Sequence, residues 1–209
     1  MEIWEPLTET VGLFRAQRYP IHEDALRLAE FATIRQADRV IDLGTGNGIL
    51  AVYAKALHGG EYVGVDTDEG AIALARMSTA RNRQTIDFRV LDVSEAPSVF
   101  GHGRFDRVLM NPPYFTDPDD GPRASARHAD ETALSDWLHA AFLLLNNGGT
   151  VSLCFPADQL GRLFRALDRN RFAPKRMDLL CTGNAARLVL LEAKKLGKNG
   201  MRITVSIKP

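Results

Sequence analysis

Two cysteines in 209 residues, Cys154 and Cys181, are too few to staple a fold together. A disulfide-held secreted domain is therefore excluded, and a reducing, cytoplasmic setting is expected. The five histidines are scattered, with no Cys/His spacing that would hold zinc, so no metal is expected. No apolar run approaches the ~20 residues a spanning helix needs, so no membrane role is expected. The opening MEIWEPLTET lacks the basic start and apolar middle of a signal peptide. Low-complexity tracts and internal repeats are missing too, which leaves an ordinary globular chain of 45% hydrophobic and 25% charged residues. Net charge is also lacking, but the neutrality is a sum of unlike halves. Residues 161–209 hold twelve Lys/Arg against three Asp/Glu, and residues 1–160 hold fourteen against twenty-three. A basic end of this kind is either a solvated surface or a footprint for a polyanion.

What is present is alternation. Helical spacing runs through DALRLAEFA at Asp24–Ala32. A short apolar strand, Val40–Leu43, then enters a glycine loop, and AVYAKAL follows as a helix stopped by Gly59 and Gly60. The strands EYVGVD, IDFRVLD and FDRVLM end at Asp66, Asp92 and Asn111, with the helix EGAIALARMSTARN between the first two. Residues 116–130 read as a mobile loop; TALSDWLHAAFLLL, TVSLCFP and DQLGRLFRALDRN then read as helix, strand and helix. The final runs MDLLCT, AARLVLLEAKK and MRITVSIKP read as hairpin-connected antiparallel strands. The expected fold is α/β: a doubly wound, mostly parallel seven-stranded sheet with an antiparallel edge strand. One domain is expected over 1–209, with an N-terminal helical cap at 1–36 and a catalytic core at 37–209.

In such sheets ligands lie beyond the carboxyl ends of the strands, where strand order reverses. The polar residues gather at those ends: Asp42 with Gly44-Thr45-Gly46-Asn47-Gly48, then Asp66, Asp92 and Asn111. The dinucleotide fingerprint G-x-G-x-x-G wants its third glycine where Ile49 stands, which weakens a dehydrogenase reading. Asp66 or Asp92 alone is equally well explained as a helix cap. As an ordered set, the D-x-G-x-G-x-G pattern and the acids that follow resemble the class I S-adenosylmethionine methyltransferases, over roughly residues 20–160. The resemblance implies that Asp42 and the backbone of Gly44, Thr45, Gly46 and Asn47 hold the methionine end of the donor. It also implies that Asp66 and Thr67 meet the ribose, and that Asp92 and Val93 meet the adenine edge.

The strand FDRVLM ends in Asn111-Pro112-Pro113-Tyr114-Phe115. A turn needs only Asn-Pro. The whole corner resembles the signature of a methyltransferase branch that acts on nitrogens conjugated to a ring or carbonyl. The lone pair of such a nitrogen is delocalised, and two acceptors aimed at its protons would free it. The side-chain oxygen of Asn111 and the carbonyl of Pro112 fit that role, with the prolines fixing the backbone beforehand. Tyr114 would offer a stacking face worth about 1–3 kcal/mol to a base, flanked by Pro113 and Phe115. Within the branch, IHEDALRLAEFA, IDLGTGNGIL, MNPPYF, ARHADETALSDWLHAAFLLLNNGG, APKRM and RLVLLEAKK are similar to the bacterial tRNA adenine-N6 methyltransferases that act beside the valine-tRNA anticodon. That family implies a flipped adenine, with Arg123 and Arg127 closing over the site. It further implies tRNA phosphates on Arg162, Arg165, Arg169, Arg171, Lys175, Arg176, Lys194, Lys195 and Lys198. A protein glutamine, a small-molecule acceptor and a non-catalytic RNA-binding module are the competing readings.

Overall fold

A computed structural model describes residues 2–112 and 123–208, and their side chains apart from those of 123–132 and 208. A two-stranded hairpin comes first, β1 (Ile3–Pro6) and β2 (Gly12–Arg15), followed by α1 (Glu23–Phe31). Then come β3 (Arg39–Leu43), α2 (Ile49–His58), β4 (Glu61–Asp66), α3 (Glu69–Asn82), β5 (Ile86–Val90), α4 (Ala96–Phe100) and β6 (Phe105–Met110). The second half holds α5 (Arg123–Leu144), β7 (Leu145–Pro156), α6 (Leu160–Arg169), β8 (Phe172–Thr182), β9 (Ala185–Lys195) and β10 (Arg202–Lys208).

The strands after the hairpin form one eight-stranded sheet in the order β10-β8-β9-β7-β6-β3-β4-β5. Only β9 runs against the rest. Two expectations are corrected here. There are eight strands rather than seven, and the antiparallel strand is interior, between β7 and β8. The edge strand β10 is parallel to β8 (Ile203 beside Met177, Val205 beside Leu179), so it is not the next leg of a hairpin. The residues between β9 and β10 include Gly197 and Gly200, which let the chain cross back before the edge strand starts.

Apolar side chains cover both faces of the sheet. On one, Leu43, Val108, Met110, Val151 and Leu153 pack with Leu134, Leu138 and Leu144 of α5 and with Leu163 and Leu167 of α6. On the other, Val40, Leu109, Cys154 and Leu190 pack beneath Leu28 of α1 and Leu50 of α2. Burying one such leucine contributes about 1.5–3 kcal/mol. The N-terminal segment is a hairpin plus one helix, not a wholly helical cap. Ser78 of α3 accepts the amide of Phe14 at 2.8 Å, and Asn82 exchanges hydrogen bonds with both the amide and the carbonyl of Gly12 at 3.1 and 2.7 Å. Residues 123–130, expected as loop, are the first turns of α5; residues 116–122 lie outside the described residues.

At the amino ends of the strands the charges are paired. Arg107 of β6 donates to Asp38, just before β3, at 2.8 Å, and both side chains are almost fully covered. Asp38 also accepts the amide of Arg35 at 2.9 Å, and Arg107 reaches Thr150 of β7 at 3.2 Å. This bridge ties three strands in one register. Replacing Asp38 by Ala leaves a buried guanidinium without its carboxylate, so urea unfolding of the variant is expected to show a loss of about 3–5 kcal/mol.

Candidate functional site

Strand order reverses at β3, which has β4 on one side and β6 on the other. A crevice opens at the carboxyl ends of β3 and β6, and its geometry follows from register. Leu43 lies beside Met110, so the next residues, the glycine loop and Asn111, emerge side by side. Asp42, Gly44, Thr45, Gly46, Asn47 and Asn111 share one cavity of about 240 Å³.

Asp42 is 1% exposed. Its carboxylate accepts the Thr45 hydroxyl at 2.6 Å. Burial pushes the Asp42 carboxyl up to about 7, against that hydrogen bond and with the charge of Asp66 adding to the rise. The loop is held open by two further bonds: the Thr45 amide donates to the carbonyl of Val65 at 2.9 Å, and the Gly46 amide donates to Asp66 Oδ2 at 2.8 Å. Gly46 has φ +54°, and a Cβ placed there would meet no atom within 4 Å, so its side toward the crevice is clear. Gly48 supplies the helix-packing contact that the fingerprint assigns to a later position: a Cβ would come within 2.8 Å of Ala75 and 2.9 Å of Phe88. The N-terminus of α2 follows at once on the cavity side, and the amide of Ala51 in its first turn hydrogen-bonds the Asp42 carboxylate.

Asp66, half-buried, has both oxygens oriented by main chain, Oδ2 by Gly46 and Oδ1 by the amide of Asp68 at 2.9 Å. Each oxygen keeps acceptor capacity for a hydroxyl. Asp66 does not line the cavity itself, nor do Thr67, Asp92 and Val93. Thr67 is exposed. Asp92 lies two residues beyond β5, exposed, and its Oδ1 accepts the amide and the hydroxyl of Ser94 at 2.8 and 2.6 Å. Those bonds, the hydroxyl first, hold its carboxyl below the usual range. Val93 is buried in the core. Pro112 is buried behind Asn111. Pro113, Tyr114 and Phe115 lie outside the described residues, as do the side chains of Arg123 and Arg127, whose backbone is helical.

Besides the apolar Ala25, Ile49 and Leu50, the lining residues that escaped the sequence reading are Arg18, Tyr19, Pro20 and His22. They form a strap between the hairpin and α1. The Tyr19 hydroxyl donates to the carboxylate of Asp68 at 2.8 Å, Arg18 stands 3.3 Å from the same carboxylate, and Asn47 donates to the Tyr19 carbonyl at 3.4 Å. The only hint in the sequence is the cluster of polar and aromatic residues in RYPIH before the first helix.

The basic residues of the C-terminal region do not form one patch. Arg162, at the start of α6, follows the carboxyl end of β7 and bonds Gln159 at 2.9 Å. Arg171, just before β8, and Lys194 and Lys195, at the end of antiparallel β9, lie at the opposite end of the sheet. Lys194 pairs with Thr150, and the Lys195 ammonium donates to the Leu145 carbonyl at 2.6 Å. Lys175, near the start of β8, bonds the carbonyl of Lys198 there. Among the described residues no cluster of His, Cys, Asp or Glu could hold a metal ion, and no helix is long and apolar enough to cross a membrane.

A doubly wound sheet with a glycine loop at its switch point and an acid ending the next strand is the layout of a class I methyltransferase. The chain belongs to the methyltransferase small domain family, whose profile matches residues 10–155. It is 28% identical over 160 residues to a tRNA1(Val) (adenine(37)-N6)-methyltransferase of Shewanella sp. (strain MR-4), covering 71% of this chain and 66% of that relative. It resembles the crystal structure of TrmN from Thermus thermophilus with a TM-score of 0.65 and 28% identity, covering 83% of this chain and 48% of that one. A predicted O-methyltransferase from Agrobacterium tumefaciens has the same fold, with a TM-score of 0.69, 22% identity and coverage of 88% and 85%. The chain thus spans just under two thirds of the first relative and about half of the second. S-adenosylmethionine is the methyl donor of this class. The cavity fits its amino-acid end: a buried carboxyl pushed up to about 7 is a group that a cationic ammonium would return to its ionised form.

The raised value has a consequence for the free protein. Below pH ~4 the Asp42 carboxyl is protonated in both folded and unfolded chains. Between pH ~4 and ~7 the unfolded chain gives up this proton and the folded chain keeps it, so stability falls as pH rises, by at most on the order of 4 kcal/mol. Urea unfolding from pH 4.5 to 7.5 is expected to show this slope as a difference between the wild type and Asp42→Asn, which lacks the titrating group.

Proposed function

We propose that the protein transfers a methyl group from S-adenosylmethionine to the N6 nitrogen of an adenine in tRNA, in the cytoplasm. One observation carries the reading: Asp42, the glycine loop and Asn111 open into the same cavity. The donor's amino-acid end and the acceptor corner are then neighbours by strand register, not by loop movement. The names of the relatives, which are tRNA adenine-N6 methyltransferases, support the choice of acceptor.

Bound S-adenosylmethionine supplies an electrophilic methyl group on its sulfonium. The chain's own groups do the rest. Asp42, ionised, accepts from the donor's ammonium, and the amides of the loop and of the first turn of α2 face its carboxylate. Asp66, held square by two main-chain amides, takes the ribose hydroxyls. Thr67 flanks it, and Asp92 with Val93 borders the adenine edge. The Asn111 side-chain oxygen and the Pro112 carbonyl accept from the amine of the target base. This draws the nitrogen out of conjugation and aims its lone pair at the methyl carbon. Tyr114, with Pro113 and Phe115, stacks on the flipped ring, and Arg123 and Arg127 close over it. Near the crevice the exposed Arg18 would meet a phosphate, whereas two of the Arg162 guanidinium nitrogens are covered and the third bonds Gln159; the lysines at the far end of the sheet are too distant to touch the target nucleotide.

The test is incubation with labelled donor and unmodified tRNA, followed by nucleoside analysis. Labelled N6-methyladenosine is expected, and label confined to protein would move the assignment to an amide acceptor. Asn111→Ala is expected to lower kcat by about 10²-fold while donor affinity stays within about threefold.

A further inference from the structure

A second cleft, of about 360 Å³, lies on the α1 side of the sheet among Phe31, Arg176, Met177, Asp178, Arg202, Thr204 and Ser206. Of its residues only Arg176 has been given a role above, as an expected phosphate contact. Arg176 is laid over the ring of Phe31 with 4.4 Å between the guanidinium carbon and the ring centre. The Thr33 hydroxyl accepts a hydrogen bond from the same guanidinium, and Glu192 stands 3.9 Å away. The group is therefore pinned flat, yet 41% of the side chain remains exposed. Arg202 of β10 is exposed beside it. Two residues further along β8, Asp178 accepts the hydroxyls of Thr204 and Ser206, each at 2.7 Å.

The cleft is at the right place to extend the acceptor site. Asp178 pairs with Leu190, which pairs with Cys154, and Cys154 follows Leu153, the partner of Met110. Asp178 is therefore level with Asn111 along the strands. In the strand order β8 is three places from β6 and β10 is four. At ~4.8 Å per strand the separation is about 14–19 Å. Helix α1 spans the same interval: His22 and Ala25, at its start, line the donor cavity and Phe31, at its end, lines the cleft. The surface between them includes the half-buried Leu180 and Leu188. A single strand leaving the crevice reaches the cleft within a few nucleotides.

We propose that this cleft binds a nucleotide of the RNA strand flanking the methylated base. The inference rests on the RNA reading above and adds the contact that reading lacks. The guanidinium of Arg176, backed by Phe31, offers its open face to a base, and Arg202 pairs with a phosphate. Asp178 repels carboxylates and phosphates but accepts from an exocyclic amine of adenine or cytosine. That combination suits a nucleotide better than an acidic peptide.

The experiment is fluorescence anisotropy with labelled nine-nucleotide single-stranded RNAs, run beside a methylation assay on the same RNAs. Arg202→Ala, at an exposed edge position, is expected to weaken binding about five- to tenfold and to reduce the salt slope by about one. Thermal unfolding and donor affinity should not change. Asp178→Asn is expected to narrow the preference for A- and C-rich strands over U-rich ones. RNA affinity unchanged in Arg202→Ala overturns the proposal, and so does polyglutamate competing as well as RNA, which would mark an acidic protein partner. RNA bound through the cleft without methylation contradicts the proposed acceptor alone. Methylation by the wild type with Arg202→Ala binding normally contradicts the cleft alone.

Discussion

A carboxyl group held out of water at the tip of the central strand sets the terms for the rest of the site. Asp42 is inside the protein because β3 is flanked on both sides and capped by the start of α2. Its one side-chain donor, the Thr45 hydroxyl, bends the glycine loop back on itself. That bend presents the Gly46 amide to Asp66, and Asp66 is then tied through the Asp68 amide to the start of α3. Asp68 in turn holds the strap by the Tyr19 hydroxyl. One buried acid therefore organises two strand tips and the segment that lies across them. Its burial is unfavourable in the free protein, and a cation in the cavity offsets that cost. Stability has been given up where a ligand is to be bound.

The two ends of the sheet treat charge in opposite ways. At the amino ends Asp38 is matched by Arg107, and Asp106 accepts from both the Arg39 amide and Asn146. These acids have partners from neighbouring strands and fix register. At the carboxyl ends Asp42 and Asp66 meet a hydroxyl and amides, and their oxygens are oriented rather than neutralised. The contrast separates structural from functional acids more clearly than burial does, since Asp38 and Asp42 are both buried. It also places the C-terminal lysines. Lys194 and Lys195 end an antiparallel strand, so topology carries them away from the crevice.

Much of this was legible in the residues. The strand tips at Asp42, Asp66 and Asn111 follow from apolar runs that stop at polar side chains, and helix α3 runs over the same fourteen residues that its periodicity marks, Glu69–Asn82. The glycine spacing weakened a dinucleotide reading, and Gly48 does the helix packing one position early. What could not be read depended on contacts distant in sequence. The hairpin β1–β2 is short and half-exposed, and is fixed by Ser78 and Asn82 some seventy positions on. The strap has no periodicity. The strand that β10 pairs with depends on which edge is free, and its alternating pattern is the same beside β8 or β9. The first turns of α5 are so polar that charge masked the helix, and Asp92 is joined to its own turn through Ser94.

The most direct measurement is calorimetric titration of the protein with S-adenosylmethionine at pH ~6.5 in two buffers of unequal ionisation enthalpy. If the donor's ammonium is held by Asp42, binding forces that carboxyl to ionise. The account predicts release of a substantial fraction of a proton per donor bound, a buffer-dependent heat that vanishes in Asp42→Asn. Binding with the same heat in both buffers, or no binding by protein that is fully folded, would contradict it.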